Sequence, residues 1–237
     1  MGMELNETPM KQTRTKKIKP GARNLSAKLK TARGRKLSST RWLKRQINDP
    51  YVLEAKRAGY RSRSAWKLAQ LDDRLKFLKK TNRILDLGAA PGGWTQVVLE
   101  RAVYTQKVVA VDISDMMPIS GVEILQLDMN GSGVIPKILL ALGGKADVVL
   151  SDMSPPTTGH KHTDHYRTMG LCQIAFDVAN AVLDEGGTLV VKVFQGGTEN
   201  FLLEKLKKLF SSVKHVKPPA SRKESRETYL VSLGFRI

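Results

Sequence analysis

Short apolar runs alternate with amphipathic stretches over most of this 237-residue chain. Five of the runs have the length and β-branched content typical of buried strands, and two further short ones close the chain. The amphipathic spacing between the runs predicts helices. The predicted strands cover 83–87, 107–113, 122–128, 146–152, 187–194, 212–216 and 227–235, and the predicted helices lie near 93–103, 133–142, 167–184 and 199–211.

Strands separated by single helices are typical of βαβ units. Since several runs are apolar on both faces, we expect an α/β fold with a mostly parallel seven-stranded sheet and helices on both of its faces. Upstream, the pattern predicts a short helix, a basic turn around Gly59 and a longer helix from about Ser62. Leucines at 68, 71, 75 and 78 form an apolar stripe along that longer helix. Residues 38–237 are therefore predicted to form one domain.

Basic residues dominate the composition and are concentrated near the start of the chain. Forty Lys and Arg against 22 Asp and Glu give a net charge of +18, and the segment 11–46 has 14 basic residues and no acidic one. Such a charge is typical of nucleic-acid binders, although an anionic membrane surface would attract it too. Residues 1–37 lack the apolar spacing needed for a core, so we expect a disordered basic arm. We expect this arm to lie on RNA phosphates; a solubilising tail without a partner is the alternative.

The composition disfavours several classes of protein. No run of 18 apolar residues suggests a membrane span, and the N-terminus lacks the apolar segment of a secretory signal. We therefore expect a cytoplasmic protein that makes no membrane contact. The single cysteine, Cys172, excludes an internal disulfide framework and a thiolate metal cage. Because it lies in an apolar helical pattern, we interpret it as a small core residue.

A glycine-rich bend follows the first predicted strand of the alternating region. Gly88 and Gly92 lie between a strand and a helix, where backbone can approach a ligand and helix N–H groups are unpaired. The spacing differs from the dinucleotide fingerprint G-x-G-x-x-G, because the second glycine comes at the fifth position. The next two predicted strands end in Asp112 and Asp128, and acids there can bind ribose hydroxyls. An adenosine-bearing ligand without a pyrophosphate fits best, and S-adenosylmethionine is the common one.

Five motifs in the right order resemble those of the FtsJ-like 2′-O-ribose methyltransferases: RSAWKL (63–68), DLGAAPGGW (86–94), LSDMSPP (150–156), VVKVFQG (190–196) and SRETYLV (225–231). The resemblance covers roughly residues 40–237 and implies a Rossmann-like class I methyltransferase fold with S-adenosyl-L-methionine as the cofactor. It also implies a catalytic Lys-Asp-Lys-Glu set, which this chain supplies as Lys67, Asp152, Lys192 and Glu227. The implied cofactor contacts are Gly88, Gly92, Trp94, Asp112, Asp128 and Asp152. No metal ligand is implied.

Each of these positions also has a plain structural interpretation. Gly92 could cap a turn, Trp94 could belong to the core, and an aspartate at a strand end often caps the following helix. The stem of Lys67 could lie over the leucine stripe. Lys192 is the most informative residue, since it interrupts the apolar strand LVVKVF and would need a carboxylate partner nearby.

Transfer of a methyl group to a ribose hydroxyl calls for a positioned base, and Lys192 is the candidate. Its amine must be uncharged when it meets the hydroxyl. Desolvation by RNA and repulsion from Lys67 favour the uncharged amine. Asp152 and Glu227, the candidate partners of Lys192, favour the ammonium and are expected mainly to orient it.

Two further polar groups flank the motifs. The segment TTGHKHTDHYR (157–167) gathers His160, His162, His165 and Asp164, but residues on a flexible loop seldom have the fixed geometry of a structural metal site. We expect this segment to be a lid over the RNA instead. Candidates for phosphate contacts, or else solvated surface charges, are Arg61, Arg63, Lys217, Arg222, Lys223 and Arg226.

The flanks SAWKL and SRETYL are most similar to the branch of the family that methylates a uridine of large-subunit (23S) ribosomal RNA. We therefore expect a monomeric RNA (uridine-2′-O-)-methyltransferase whose partner is ribosomal RNA within the large subunit or its precursor. Transfer RNA or an mRNA cap is the alternative substrate. A non-catalytic RNA-binding assembly factor is the rival class, and a dinucleotide oxidoreductase is disfavoured by the glycine spacing.

Overall fold

The computed structural model describes residues 37–156, 158–195 and 199–237. The chain divides into two units, residues 1–48 and 49–237. In the first unit the described part is helix α1 (Leu37–Ile47) and Asn48, whose side-chain amide donates to the carbonyl oxygen of Lys44. The predicted basic arm (1–37) lies, except for its last residue, outside the described residues, and the domain boundary at residue 38 stays a prediction.

The second unit holds the other described helices and strands. They are α2 (Pro50–Ala58), α3 (Ala65–Leu75), β1 (Arg83–Leu87), α4 (Gly93–Arg101), β2 (Lys107–Asp112), β3 (Val122–Gln126), α5 (Val134–Leu142), β4 (Ala146–Ser151), α6 (Lys161–Val182), β5 (Leu183–Phe194), α7 (Glu199–Leu209), β6 (Phe210–Val216) and β7 (Glu227–Phe235). None of the helices in the described ranges is long and apolar enough to cross a membrane.

The strands form one seven-stranded sheet in the order β3-β2-β1-β4-β5-β7-β6. Strands β1 to β5 pair in parallel, whereas β7 runs antiparallel between β5 and β6. This confirms the predicted α/β fold with a mostly parallel seven-stranded sheet. The winding of the chain reverses between β1 and β4, and such a switch point favours ligand binding at the carboxyl ends of the strands.

Helices cover both faces of the sheet, as the apolar pattern predicted. On one face, Leu85 packs in a core cluster with residues of α5, α6 and α7. On the other face, Ile84 packs with residues of α3 and α4. Neighbouring residues of a strand point to opposite faces, so both faces of a central strand have to be apolar. Cys172 is buried in the first of these clusters, which confirms its interpretation as a core residue.

The region before β1 has one helix more than predicted, since α1 and α2 both precede Gly59. Helix α2 begins at Pro50, and the carboxylate of Asp49 accepts the backbone N–H of Tyr51 at 3.0 Å. An aspartate followed by proline at the first helical position is a sequence signature of a helix start. Helix α3 begins at Ala65, slightly later than predicted.

Helix α6 begins at Lys161 instead of residue 167, so the predicted lid is in large part the first two turns of a helix. The carboxylate of Asp164 accepts the backbone N–H groups of Thr158 at 2.7 Å and Gly159 at 3.1 Å, which fixes the turn that precedes the helix. These polar turns carry no apolar stripe, and periodicity therefore gave no sign of them.

Candidate active site

Four charged side chains meet at the carboxyl edge of the sheet, and we call them the lysine–carboxylate cluster: Lys67, Asp152, Lys192 and Glu227. The strand order explains why they meet, since β5 lies between β4 and β7. Asp152 directly follows β4, Lys192 lies near the end of β5, and Glu227 begins the antiparallel β7. Lys67 reaches the same place from α3.

Each lysine of the cluster faces a carboxylate. Lys192 Nζ lies 3.2 Å from Asp152 Oδ1 and donates to the Asp152 carbonyl oxygen at 2.6 Å. Lys67 Nζ donates to Glu227 Oε2 at 2.7 Å and lies 4.0 Å from Asp152 Oδ2. Lys67 and Lys192 are only 8% and 4% exposed. With two cations and two carboxylates the cluster is neutral overall, which is the condition under which buried charges are tolerated.

The predicted need of Lys192 for a carboxylate is confirmed, and Asp152 meets it. Glu227, the other candidate partner of Lys192, pairs with Lys67 instead. The stem of Lys67 is buried, so this residue is not a surface lysine whose charge returns to solvent.

Tyr229 completes the surroundings of Asp152 and was not among the residues predicted from the sequence. Its buried hydroxyl donates to Asp152 Oδ1 at 2.8 Å. Burial by itself would raise the pKa of Asp152, but the charges of Lys192 and Lys67 outweigh burial, and the pKa is lowered. Burial and the Asp152 carboxylate raise the pKa of Tyr229 well above its ordinary value. The available signal was its position two residues after Glu227, which puts both side chains on one face of β7.

The carboxylate of Glu227 is held from two sides. Ser221 Oγ donates to Oε1 at 2.7 Å, while Lys67 donates to Oε2 at 2.7 Å. Ser221 is buried and lies in the connection between β6 and β7. Because each oxygen has its own donor, the orientation of the carboxylate is fixed.

The glycine bend between β1 and α4 has a backbone conformation that residues with a side chain rarely adopt. Gly88 has a φ of 70°, and a Cβ there would lie 2.5 Å from Met153 Cγ. Gly92 has a φ of 107° at the start of α4, and a Cβ there would lie 2.8 Å from Ile119 Cδ1. Both positions therefore require glycine for conformation, and Gly88 requires it for space as well, since a Cβ there would also lie 2.9 Å from the Cα of Met153. The bend brings the unpaired N–H groups of the first turn of α4 to the carboxyl edge of the sheet.

Asp112 and Asp128, the predicted ribose-binding acids, lie at this edge. Asp112 ends β2; its Oδ2 accepts the N–H of Ala90 at 2.9 Å, and its Oδ1 that of Ser114 at 2.8 Å. Asp112 thus already ties β2 to the glycine bend. Asp128 lies two residues beyond β3 and is exposed, and hydrogen bonds from the backbone and side chain of Asn130 lower its pKa.

The side chain of Trp94 lies in the core, although the resemblance named this residue as a cofactor contact. The indole is 2% exposed, packs against Tyr229 with ring centroids 5.6 Å apart, and donates from Nε1 to the carbonyl oxygen of Ser64 at 2.9 Å. A ligand contact at residue 94 would therefore use its backbone N–H, which in the first turn of α4 has no intrahelical partner.

One further carboxylate, Asp86 of β1, was not singled out from the sequence. It is 1% exposed, its Oδ2 accepts from Thr95 Oγ1 at 2.7 Å, and its Oδ1 has no hydrogen-bond partner in the described part of the chain. Burial raises its pKa to about 7; the bond from Thr95 opposes the shift, and repulsion from Asp152 and Asp112 adds to it. The signal was available, because a charge inside the apolar run RILDL is as unusual as Lys192 in its strand.

Most of the candidate phosphate contacts donate to backbone carbonyl oxygens in this structure. The acceptors are Pro91, Met117 and Pro118 for Arg61, Ala220 for Arg63, Lys223 and Ser225 for Lys217, and Gln195 for Arg226. Arg63 and Arg222 also pair with the carboxylate of Asp49. The four arginines therefore hold together segments that are distant in sequence, whereas Lys217 bonds within its own connection.

The histidine segment has no metal-binding arrangement among the residues described. No group of three or more His, Cys, Asp or Glu side chains within the described ranges could hold a metal ion. Asp164 serves the turn before α6, and the hydrogen bonds that it accepts from Thr158 lower its pKa.

The sheet order and the glycine bend define a Rossmann-like domain, whose switch point is a position that favours ligand binding. A profile of the FtsJ-like methyltransferase family matches residues 60–235, and the chain belongs to this family.

Several individual proteins are similar to the chain over most of its length. A protein of Paramagnetospirillum magneticum named ribosomal RNA large subunit methyltransferase E is 57% identical over 91% of both chains. A protein of the same name from Gluconobacter oxydans is 53% identical over 91% of this chain and 80% of its own. Among solved structures, a Plasmodium falciparum chain provisionally named as a ribosomal RNA methyltransferase has a TM-score of 0.68 and 36% identity, covering 74% of this chain and 98% of its own.

Proposed function

We propose that this methyltransferase uses S-adenosylmethionine to methylate the 2′-hydroxyl of a uridine in large-subunit ribosomal RNA, with Lys192 as the general base. The observation that carries the proposal is the buried, neutral lysine–carboxylate cluster beside the glycine bend. The names of the similar proteins support ribosomal RNA as the substrate class.

The residues at the carboxyl edge suit a cationic adenosine ligand. The N–H groups of the bend and of the first turn of α4 would bind its polar atoms, and Asp112 and Asp128 would accept hydrogen bonds from its ribose and base. Asp86 Oδ1, which accepts no hydrogen bond from the residues described, adds a buried acceptor near these groups. Three acidic side chains also favour a ligand that carries positive charge. S-adenosylmethionine supplies a methyl group already activated by its sulfonium.

The geometry of the cluster orients Lys192 for proton transfer. Its Nζ contacts the carbonyl oxygen and the carboxylate of Asp152. The ribose hydroxyl would then approach the side of the amine that faces away from Asp152. To accept the hydroxyl proton, this amine must first have lost its own. Lys67 faces the same carboxylate, with its Nζ 4.0 Å from Asp152 Oδ2. Glu227 fixes Lys67 in that position.

The variant Lys192→Ala tests the assignment of the base. We expect methyl transfer to large ribosomal subunits to fall by about a thousandfold or more, because a positioned base contributes factors of this order. We expect the dissociation constant for S-adenosylmethionine, measured by calorimetry, to stay within about threefold of wild type, since Lys192 binds the hydroxyl and not the ribose of the cofactor. Lys214→Ala, on the edge strand β6, is the matched lysine control.

Three results would contradict the proposal in different ways. Retained transfer by Lys192→Ala would reject this residue as the base. Transfer by the wild type to transfer RNA but not to ribosomal subunits or their RNA would reject the substrate. Absence of S-adenosylmethionine binding by the wild type would favour a non-catalytic RNA-binding factor.

A further inference from the structure

Arg61 lies in the connection between α2 and α3, and its guanidinium joins two segments on either side of Asp112. Its Nη1 donates to the carbonyl oxygens of Pro91 at 3.1 Å and Met117 at 2.6 Å, and its Nη2 to that of Pro118 at 2.7 Å. Pro91 belongs to the glycine bend, while Met117 and Pro118 belong to the β2–β3 loop (113–121). All three acceptors are uncharged.

The backbone of this connection is itself fastened to α4. Gln96 Oε1 accepts the N–H of Arg61 at 2.8 Å, and Gln96 Nε2 donates to the carbonyl oxygen of Gly59 at 3.0 Å. The stem of Arg61 also passes close to Gly92, where a Cβ would lie 3.3 Å from its Cδ and 3.2 Å from its Nη1. The bend, the loop and the α2–α3 connection therefore meet at one guanidinium.

Asp112 also links the bend to the loop, because its carboxylate accepts hydrogen bonds from the backbone N–H groups of Ala90 and Ser114. The proposed function asks the same carboxylate to bind ribose hydroxyls, so its oxygens would be shared between ligand and backbone. The bonds of Arg61 use no atom of the acids at the edge. They would hold the two walls of the pocket in place whether or not the ligand is bound.

We propose that Arg61 is a positioning residue that clamps the glycine bend to the β2–β3 loop and so preorganises the cofactor pocket, rather than a contact to RNA phosphate. This inference rests on the proposed use of S-adenosylmethionine. The planar fork of arginine suits a site with several fixed acceptors, whereas lysine is a flexible point charge that cannot reproduce the set.

The conservative variant Arg61→Lys distinguishes the two roles. If Arg61 is the clamp, we expect Arg61→Lys and Arg61→Ala alike to weaken S-adenosylmethionine binding by about tenfold, because the free protein loses preorganisation. RNA affinity without cofactor should keep its salt dependence in both variants. Arg236→Lys is the control. This exposed arginine follows β7, whose antiparallel direction puts its end at the side of the sheet opposite the carboxyl ends of the parallel strands.

A phosphate contact would give the reverse pattern. Arg61→Lys would then behave nearly as wild type, and Arg61→Ala would leave cofactor binding unchanged while reducing the slope of log K against log salt by about 0.7 to 0.9. That result would overturn the clamp.

Hydrogen exchange separates failure of the clamp from failure of the proposed function, because it needs no ligand. We expect amides in 113–121 and in the glycine bend to exchange faster in both Arg61 variants than in wild type or Arg236→Lys. If wild type binds no S-adenosylmethionine but exchange accelerates, the proposed cofactor fails and the clamp stands. Unchanged exchange in variants that retain the wild-type melting temperature would reject the clamp.

Discussion

The carboxyl edge of the sheet has two regions in which carboxylates have opposite kinds of neighbour. In the lysine–carboxylate cluster, each carboxylate faces an ammonium. The other region consists of Asp86, Asp112 and Asp128, and we call it the acidic pocket. The hydrogen-bond donors described for its carboxylates are all uncharged. They are the hydroxyl of Thr95 for Asp86, the N–H groups of Ala90 and Ser114 for Asp112, and the backbone and side-chain nitrogens of Asn130 for Asp128. The cluster is balanced by itself, whereas the pocket is left negative and suits a cationic ligand.

Asp152 and Asp86 show the consequence of this difference most clearly. Burial is the largest influence on both carboxyl groups and in each case acts to raise the pKa. At Asp152 the two lysines reverse the effect, and the pKa ends below its ordinary value. No such cation lies beside Asp86 in the described part of the chain, and its pKa is about 7. One region thus holds an ionised carboxyl group, and the other holds a carboxyl group that is near its titration midpoint at neutral pH.

The largest effect is expected for Asp152→Asn, which removes the charge that balances the cluster and largely retains the side-chain shape. Glu227 would then be the one carboxylate of the cluster left to balance two ammonium groups. We expect the free energy of unfolding to fall by about 3–5 kcal/mol, the usual cost of leaving a buried charge without its partner. Urea denaturation measures this change, and methyl transfer should be lost as well.

Asp184→Asn, at an exposed position, is the control for loss of one negative charge. If Asp152→Asn were no less stable than this control, the cluster would not depend on charge balance, and the contrast with the acidic pocket would disappear.

Asp86→Asn tests the other region, through the pH dependence of stability. The folded pKa of about 7 lies above the unfolded value of about 3.9. The folded protein therefore retains a proton that the unfolded chain has released, and the contribution of Asp86 to stability falls as pH rises from about 4 to 7. Between about pH 5.5 and pH 8 the wild type should lose about 2 kcal/mol relative to Asp86→Asn.

Urea denaturation of both proteins at the two pH values measures the difference, with Asp184→Asn again as the control. Other titrating groups cancel in the comparison, and the lowered pKa of Asp152 affects stability only at more acidic pH. Parallel pH profiles for wild type and Asp86→Asn would mean that Asp86 is ionised at its ordinary pKa despite its burial.

The sequence predicted the sheet and its edge well, because both follow from local patterns. Apolar runs identified every strand, and the charge of Lys192 inside one run indicated that a carboxylate had to be near. The same reasoning applied to Asp86 would have identified the second buried charge. The helix start at Lys161 was missed because polar turns carry no apolar periodicity, although Asp164 fixes them.

What the sequence could not provide is pairing between residues distant along the chain. Glu227 pairs with Lys67, 160 positions away, because β7 runs antiparallel beside β5, and a strand pattern does not reveal that register. Arg61 looked like a phosphate contact because its carbonyl acceptors lie 30 or more positions away. Tertiary structure supplies backbone acceptors for this exposed guanidinium, and the sequence pattern does not show them.

The smallest effect is expected for Ser221→Ala. This variant measures how much an uncharged hydrogen-bond donor contributes to stability within the charged cluster. Ser221 Oγ donates to Glu227 Oε1, while Lys67 occupies the other oxygen. Loss of the hydroxyl should lower the free energy of unfolding by about 1 kcal/mol, since Lys67 still neutralises the carboxylate. Methyl transfer should fall only a few fold, with the KM for RNA unchanged. Ser211→Ala, which loses a hydroxyl bonded to the carbonyl oxygen of Gly234 at the exposed edge, is the matched control.

Comparing the loss of stability in Ser221→Ala with that in Asp152→Asn shows whether charge pairing or hydrogen bonding contributes more to the stability of the cluster. If charge pairing dominates, the loss of stability should be several times smaller than for Asp152→Asn. Equal losses would mean that hydrogen-bond geometry at Glu227 matters as much as charge. The cluster would then resemble the acidic pocket, where hydrogen bonds from uncharged donors orient each carboxylate. The two regions would differ in the number of lysines and not in the kind of interaction that orients their carboxylates.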